Sequence, residues 1–258
     1  MKLWLRPLSL TALAALVPSV AAAQNTTPGT AVHLLVGQSP MVVNLATGSA
    51  TRFYDAPVVS ERSYCAEATA SESEVNPTDP VLTVYRSDAT TVIGTNDNTT
   101  LEPKGQTAAR VCFVAPASNA SVFIKIEPVA GFENRNYALR FVETTLWSNW
   151  FFVGGDYSSF TLLRNTTNLA VTIDVRWKNA AGTVVGSALA QVIPANGIIA
   201  LEARSPLGCA LPTPCTTLNG SVEVAHAASP EAVVGSQTTL SAGTGLSFDT
   251  IFFQRKAW

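Results

Sequence analysis

Short runs in which apolar and polar residues alternate recur about every 8 to 12 positions, separated by Gly, Pro, Asn and Asp. That spacing predicts strands of a sandwich or barrel. The clearest run is 121–127, where Val122, Ile124 and Ile126 share one face while Lys125 and Glu127 take the other. This is the alternation of an antiparallel sheet with one wet side. In the N-terminal half, strands are expected at 31–36, 41–45, 51–59, 62–68, 81–86, 109–115, 121–127 and 136–143. In the C-terminal half they are expected at 158–165, 169–177, 182–192, 197–203, 220–226, 232–240 and 246–255. Beyond the first 23 residues no capped stripe of helical period occurs, so helices are not expected.

The alternation also suggests a division. The run 136–143 ends cleanly, and the aromatic stretch "LWSNWFF" then begins a different pattern. The expected fold is all-β: two antiparallel β-sandwich domains in tandem, 24–143 and 144–258, after a signal peptide at 1–23. Seven runs in the second part suit a sandwich of immunoglobulin-like size. The Cys–Trp–Cys spacing of a true immunoglobulin domain is missing, so only the architecture is expected.

The leader is read from Lys2 and Arg6, the apolar run "LSLTALAALV" and the small residues up to Ala21 and Ala23. Its apolar run is shorter than the roughly 20 residues of a membrane span, and no later segment approaches that length, so no transmembrane segment is expected. Removal of the leader leaves 14 Lys and Arg against 18 Asp and Glu, a net charge of −4. Nucleic acid is therefore a poor partner, since its binding rests on dense cationic contacts to phosphate. The expected location is secreted, periplasmic or on the cell surface.

Four cysteines in an exported chain point to disulfides. Pairing Cys65 with Cys112 and Cys209 with Cys215 keeps each bridge within one half. On a loop-entropy argument the first would stabilise by about 4 kcal/mol and the second by roughly 2 kcal/mol. "CALPTPC" lacks zinc-ligand spacing and has no neighbouring His.

The stretch "DPVLTVYRSDATTVIGTNDN", Asp79 to Asn98, reads as a hairpin opening into an acidic, amide-rich loop. Together with "YCAEA", "ARVCFVAP", "SVFIKIEP" and "NYALRF", it is similar to the bacterial pre-peptidase C-terminal domain over about residues 50 to 143. The C-terminal half resembles accessory β-sandwich modules of bacterial surface proteins. The resemblance implies a non-catalytic accessory role in folding, secretion or attachment to polysaccharide, collagen or the cell surface, with calcium bound in some members.

Candidate chemistry is sparse. Only His33 and His226 are present, with no G-x-S-x-G elbow, so nucleophilic catalysis lacks its parts. Glu72, Glu74 and Asp79 cluster in a loop that reads as a solvated connection rather than a paired-carboxylate site. Asp79, Asp88, Asn96, Asp97 and Asn98 are candidate calcium ligands if they converge at one end of the hairpin. The competing reading makes them turn builders, because Asn and Asp bond nearby backbone and tolerate left-handed conformations. Trp147, Trp150, Phe151 and Tyr157 are the densest aromatic group, a candidate glycan platform or else core and joint filling. The expectation is a non-enzymatic binding or structural protein of the envelope or extracellular matrix, engaging polysaccharide or another surface protein. The alternative is a secreted hydrolase with an unrecognised site.

Overall fold

A computed structural model of the chain describes residues 25–45, 51–70, 78–98, 108–118, 120–133, 135–209 and 216–255. The expected leader, Glu72, Glu74 and Cys215 lie outside these residues. Within them the chain is all-β, and no α-helix occurs.

Nine strands build the first half: β1 (Val32–His33), β2 (Met41–Asn44), β3 (Arg52–Pro57), β4 (Ser63–Ala70), β5 (Pro80–Tyr85), β6 (Val92–Asn96), β7 (Ala108–Val114), β8 (Ser121–Pro128) and β9 (Asn136–Glu143). They form two sheets, ordered β1-β3-β8-β5-β6 and β2-β9-β4-β7, antiparallel except where β1 runs parallel to β3. The alternation read from the sequence is realised on β8, where Val122, Ile124 and Ile126 are fully buried. They meet Leu82 and Val84 of their own sheet and Tyr64, Phe113 and Phe141 of the other in one core. Tyr64 and Phe141 stack at 5.5 Å between ring centroids. The hydroxyls of Tyr54 and Tyr137 bond each other across the two sheets at 2.5 Å, which satisfies both buried polar tips.

The bridge between Cys65 and Cys112 is present. These cysteines are directly opposed on β4 and β7, so the disulfide ties the edge strand β7 to its neighbour within one sheet. Whatever Cys209 pairs with, it carries no free thiol.

Eight strands build the second half: β10 (Leu146–Val153), β11 (Tyr157–Asn165), β12 (Val171–Asn179), β13 (Val184–Ile193), β14 (Ile198–Glu202), β15 (Leu218–His226), β16 (Val233–Ser241) and β17 (Ser247–Phe252). Their sheets run β10-β15-β12-β13 and β14-β11-β16-β17. Val171, Ile173, Val175 and Trp177 bury the expected face of β12 in a second core with Phe151, Leu163, Val222, Val224 and Val233. On β11 and β16 the inward face is partly hydroxylic, and its hydroxyls pair internally, while Gln237 Nε2 is buried without a hydrogen-bond partner among the described residues. Ser159 bonds Thr239 at 2.7 Å, and Thr161 donates to Gln237 at 2.6 Å.

One strand escaped the pattern. The register of β10 against β15 slips between Ser148 and Phe151. Leu146 and Ser148 are buried before the slip, Phe151 and Val153 after it. A bulge inserts an extra residue and shifts the period-2 phase, so 146–153 shows no continuous alternation. The free edge of β10 is covered: Trp147 exchanges two backbone hydrogen bonds with Gln254, at 2.7 and 2.8 Å. Ser159 Oγ accepts from the Phe152 N–H at 2.8 Å and donates to its C=O at 3.0 Å. These contacts cap backbone groups that would otherwise template association.

The link between the halves is short. Thr144 N–H donates to Ser63 C=O at 2.8 Å. Ser63 N–H donates to the Thr145 hydroxyl at 3.0 Å, and His226 N–H to the Ser63 hydroxyl at 2.7 Å. Around this point Arg62, Arg176 and Lys178 interleave with Glu61, Asp174, Glu143 and Glu223. The Arg62 guanidinium also lies 4.4 Å from the Trp147 ring centre. Glu223, Arg176 and Glu143 are nearly solvent-free, so pairing is what makes their charge tolerable there.

Candidate functional site

The hairpin acids do not form one cluster. β5 and β6 pair with Leu82 opposite Asn96 and Tyr85 opposite Val92. Asp88 is therefore at the turn and Asp97 at the open end, with about 15 Å of strand between them at ~3.3 Å per residue. The convergence of all five candidate calcium ligands is thus corrected by strand geometry. Asp88 builds the turn. Its carboxylate accepts from Thr90 N–H, Thr91 N–H and the Thr91 hydroxyl at 2.9, 2.8 and 2.5 Å. The Thr91 hydroxyl, then the backbone N–H groups, lower its pKa to about 2. Ala89 takes φ +56° in that turn.

At the open end Asn96 Oδ1 accepts from Arg110 N–H at 3.1 Å, tying β6 to β7. Asn98 is exposed. Desolvation, then the nearby negative charge of Asp97, pushes the Asp79 carboxyl above its ordinary value. One Asp79 oxygen is shielded from solvent with no hydrogen-bond partner among the described residues. No group of three or more His, Cys, Asp or Glu side chains able to hold a metal occurs among those residues.

The two histidines are far apart in role. His33 Nδ1 sits 2.7 Å from Asp55 on an exposed edge. His226 is fully buried at the joint. Burial, then the positive charge of Arg255, drives its pKa down to about 4, offset in part by a backbone contact with Ala228.

The aromatic group is divided by the bulge in β10. Phe151 is fully buried in the second core, which corrects its assignment to a glycan platform. Trp147 is committed to the joint beneath Arg62. Trp150 and Tyr157 are joined by Phe152, a residue absent from the sequence-based set. Trp150 stacks nearly parallel on Phe152 at 6.2 Å, and Tyr157 meets Phe152 edge-on at 6.2 Å. Tyr157 is 40% exposed, while Trp150 and Phe152 are half-buried. Asn149 and Asp156, next in the chain to Trp150 and Tyr157, are exposed, as is Asn219, which stands directly opposite Phe152.

The turn between β10 and β11 is fixed from several sides. Gly154 and Tyr157 exchange backbone hydrogen bonds at 3.2 and 3.0 Å. Gly155 takes φ +55°, a left-handed conformation suited to a two-residue hairpin turn. A Cβ on Gly154 would meet Thr217 at 2.9 Å and the Phe152 ring at 3.3 Å. Arg204, 3% exposed, donates to the carbonyls of Gly155 and Tyr157. Phe152 and Tyr157 thus flank a turn whose backbone is clamped from the Arg204 side. "GGDY" beside "WFFV" is a local signal for the turn. Arg204, 47 residues from Tyr157, has none.

No protein-family model matches the chain, and no curated protein sequence matches it. Among solved structures, a Bacteroides uniformis beta-glucuronidase overlaps 80% of this chain and 26% of its own at 10% identity and TM-score 0.21. The calcium-binding mutant of B. uniformis beta-glucuronidase 2 overlaps 81% and 26% at 10% identity and TM-score 0.21. A protein of Parabacteroides distasonis described as secreted overlaps 85% and 88% at 9% identity and TM-score 0.20. The chain thus spans 26% of the length of the two glucuronidase structures.

Proposed function

We propose that this chain is a non-catalytic, exported or surface-associated binding protein of a bacterial envelope or extracellular matrix, and that its ligand is polysaccharide. The observation that carries the reading is the ladder Trp150, Phe152, Tyr157 on a turn clamped by Arg204. Flat rings match the apolar faces of sugars, while Asn149, Asp156 and Asn219 offer donors and acceptors to hydroxyls at the rim. A fixed turn reduces the ordering cost of binding. The disulfide between Cys65 and Cys112 suits an oxidising compartment. No helix among the described residues is long and apolar enough to cross a membrane. The pre-peptidase-like reading of residues 50 to 143 assigns that half an accessory, attachment-related role.

The test is affinity electrophoresis of the chain lacking residues 1–23 through gels containing bacterial and plant polysaccharides. At least one polysaccharide should retard it, and replacing both Phe152 and Tyr157 with Ala should weaken retention roughly tenfold or more. Migration unaffected by every polysaccharide would refute the reading.

Calcium is kept as a second reading, now narrowed to Asp79 and Asp97 with Asn96 and Asn98. The supporting observation is the repulsion between the two carboxylates, which a divalent cation would relieve. Calcium should then raise the melting temperature of the wild-type chain and leave that of Asp97→Asn unchanged. Identical melting in calcium and in chelator removes the cation from the account.

A further inference from the structure

The outer face of β14-β11-β16-β17 is apolar and, among the described residues, uncovered. Leu162, Ile198, Val234 and Phe252 are 37%, 64%, 45% and 74% exposed on four different strands. They line a shallow groove of about 420 Å³ whose polar contributors are Arg164 and Ser236. So few polar groups suit a sugar poorly. Contiguous exposed apolar surface of this kind marks a protein contact.

The arrangement of charge at its ends says which protein fits. Strand register places Ile198, Arg164 and Val234 in one outer row, then Ala200, Leu162, Ser236 and Phe252. The following row holds Glu202, Phe160, Thr238 and Thr250. A cation thus stands at one end of the apolar band and a carboxylate at the other. Glu202 keeps 40% of its side chain exposed, with Arg204 3.9 Å away.

Consider a two-fold axis between two such faces, perpendicular to the strands and passing over the Leu162 row. It reverses strand direction and preserves strand order. Leu162 and Phe252 then lie over their own counterparts. Arg164 of one copy comes over the row holding Glu202 of the other, displaced by one strand spacing, about 4.8 Å, which an arginine side chain can span. We infer that this face is an isologous dimer interface that packs against a second copy of the same chain, with Arg164 of each copy meeting Glu202 of the other. An interface that contacts its own copy must be self-complementary in this sense. With nine residues on β11 and on β16, five on β14 and six on β17, at about 4.8 by ~3.3 Å per residue the face covers roughly 460 Å² per copy, the size of a weak or transient interface. The dimer is therefore reversible and concentration-dependent.

Sedimentation equilibrium of the chain lacking residues 1–23, over a wide concentration range, tests this. The wild type should pass from monomer to dimer. Phe252→Asp and Ile198→Asp, on different strands, should each weaken association roughly a hundredfold with circular dichroism and melting unchanged. Arg164→Glu and Glu202→Arg should each weaken it roughly tenfold, and the double reversal should restore it. A wild type that stays monomeric, or a dimer indifferent to both aspartate substitutions, overturns the proposal. Single charge reversals that weaken the dimer without rescue by the double reversal overturn the antiparallel register.

Discussion

On the outer face of β10-β15-β12-β13, one row reads Trp147, Glu223, Arg176, Ser187. On the outer face of the opposing sheet, the middle row reads Ala200, Leu162, Ser236, Phe252. The charged row is the one that is covered, with Glu223 6% and Arg176 7% exposed, whereas Phe252 is 74% exposed. Apolar residues usually mark what is hidden and charged residues what is wet. Here the contact within the chain is made by charge and the uncovered face is oily. Covering a charged face is stable only when complementary charges arrive with it, and the turn bearing Glu61 and Arg62 supplies both signs. An uncovered apolar face costs the folded chain little, but it leaves binding energy for another molecule to recover.

This contrast can be broken most severely from the covered side. Glu223→Gln removes the carboxylate shared by Arg62 and Lys178, which leaves two cations short of a partner in a poorly solvated joint. Urea unfolding should show a loss of about 3–5 kcal/mol. A loss under about 1 kcal/mol would mean that the face behaves as ordinary solvated surface.

Acid should loosen the same joint. His226 folds neutral with a pKa of about 4 against an ordinary value of 6.5, so between those values the unfolded chain binds a proton that the folded chain refuses. Its contribution is intact above about pH 6.5, declines as pH falls and is exhausted below about pH 4, a total of roughly 3 kcal/mol. The difference between wild type and His226→Leu in stability-versus-pH curves isolates that slope. Parallel curves across pH 7 to 4 would show that the imidazole is free to take up its proton in the fold.

A smaller effect is expected from Arg62→Lys. Lysine keeps the charge but loses the planar stacking on Trp147 and the fork that reaches both Glu143 and Glu223. The cost should be about 1 kcal/mol in thermal or urea unfolding. Least of all, Ile198→Thr on the open face should move folding stability by no more than about 0.5 kcal/mol. A drop of several kcal/mol in the monomer would show that this face is packed against something in its own chain.

Much of the strand plan was legible because one sheet face is buried and the other is not. On β8 the expected face of Val122, Ile124 and Ile126 is buried, and on β12 that of Val171, Ile173, Val175 and Trp177, although Arg176 from the opposite face of β12 is buried as well. The plan failed at β10, where the bulge moves burial from even to odd positions partway along. That single slip decides that Phe151 enters the core and Phe152 joins the ring ladder, two adjacent identical residues with opposite roles. Asp88 and Asp97 failed differently: both read as loop acids, yet the strands between them hold them at opposite ends of the hairpin.

Composition and alternation by themselves determined the all-β class, the approximate strands and which residues of most strands share a face, because pleating forces a period of two. Which faces would be covered was decided only in three dimensions. Arg176 meets Glu61 across 115 residues of chain, and Arg204 reaches the ring-bearing turn from 47 residues away. A charged row is tolerable or ruinous inside a joint according to partners that no local window contains, since the energy of a buried charge depends on what stands within a few ångströms of it and not on its neighbours in sequence.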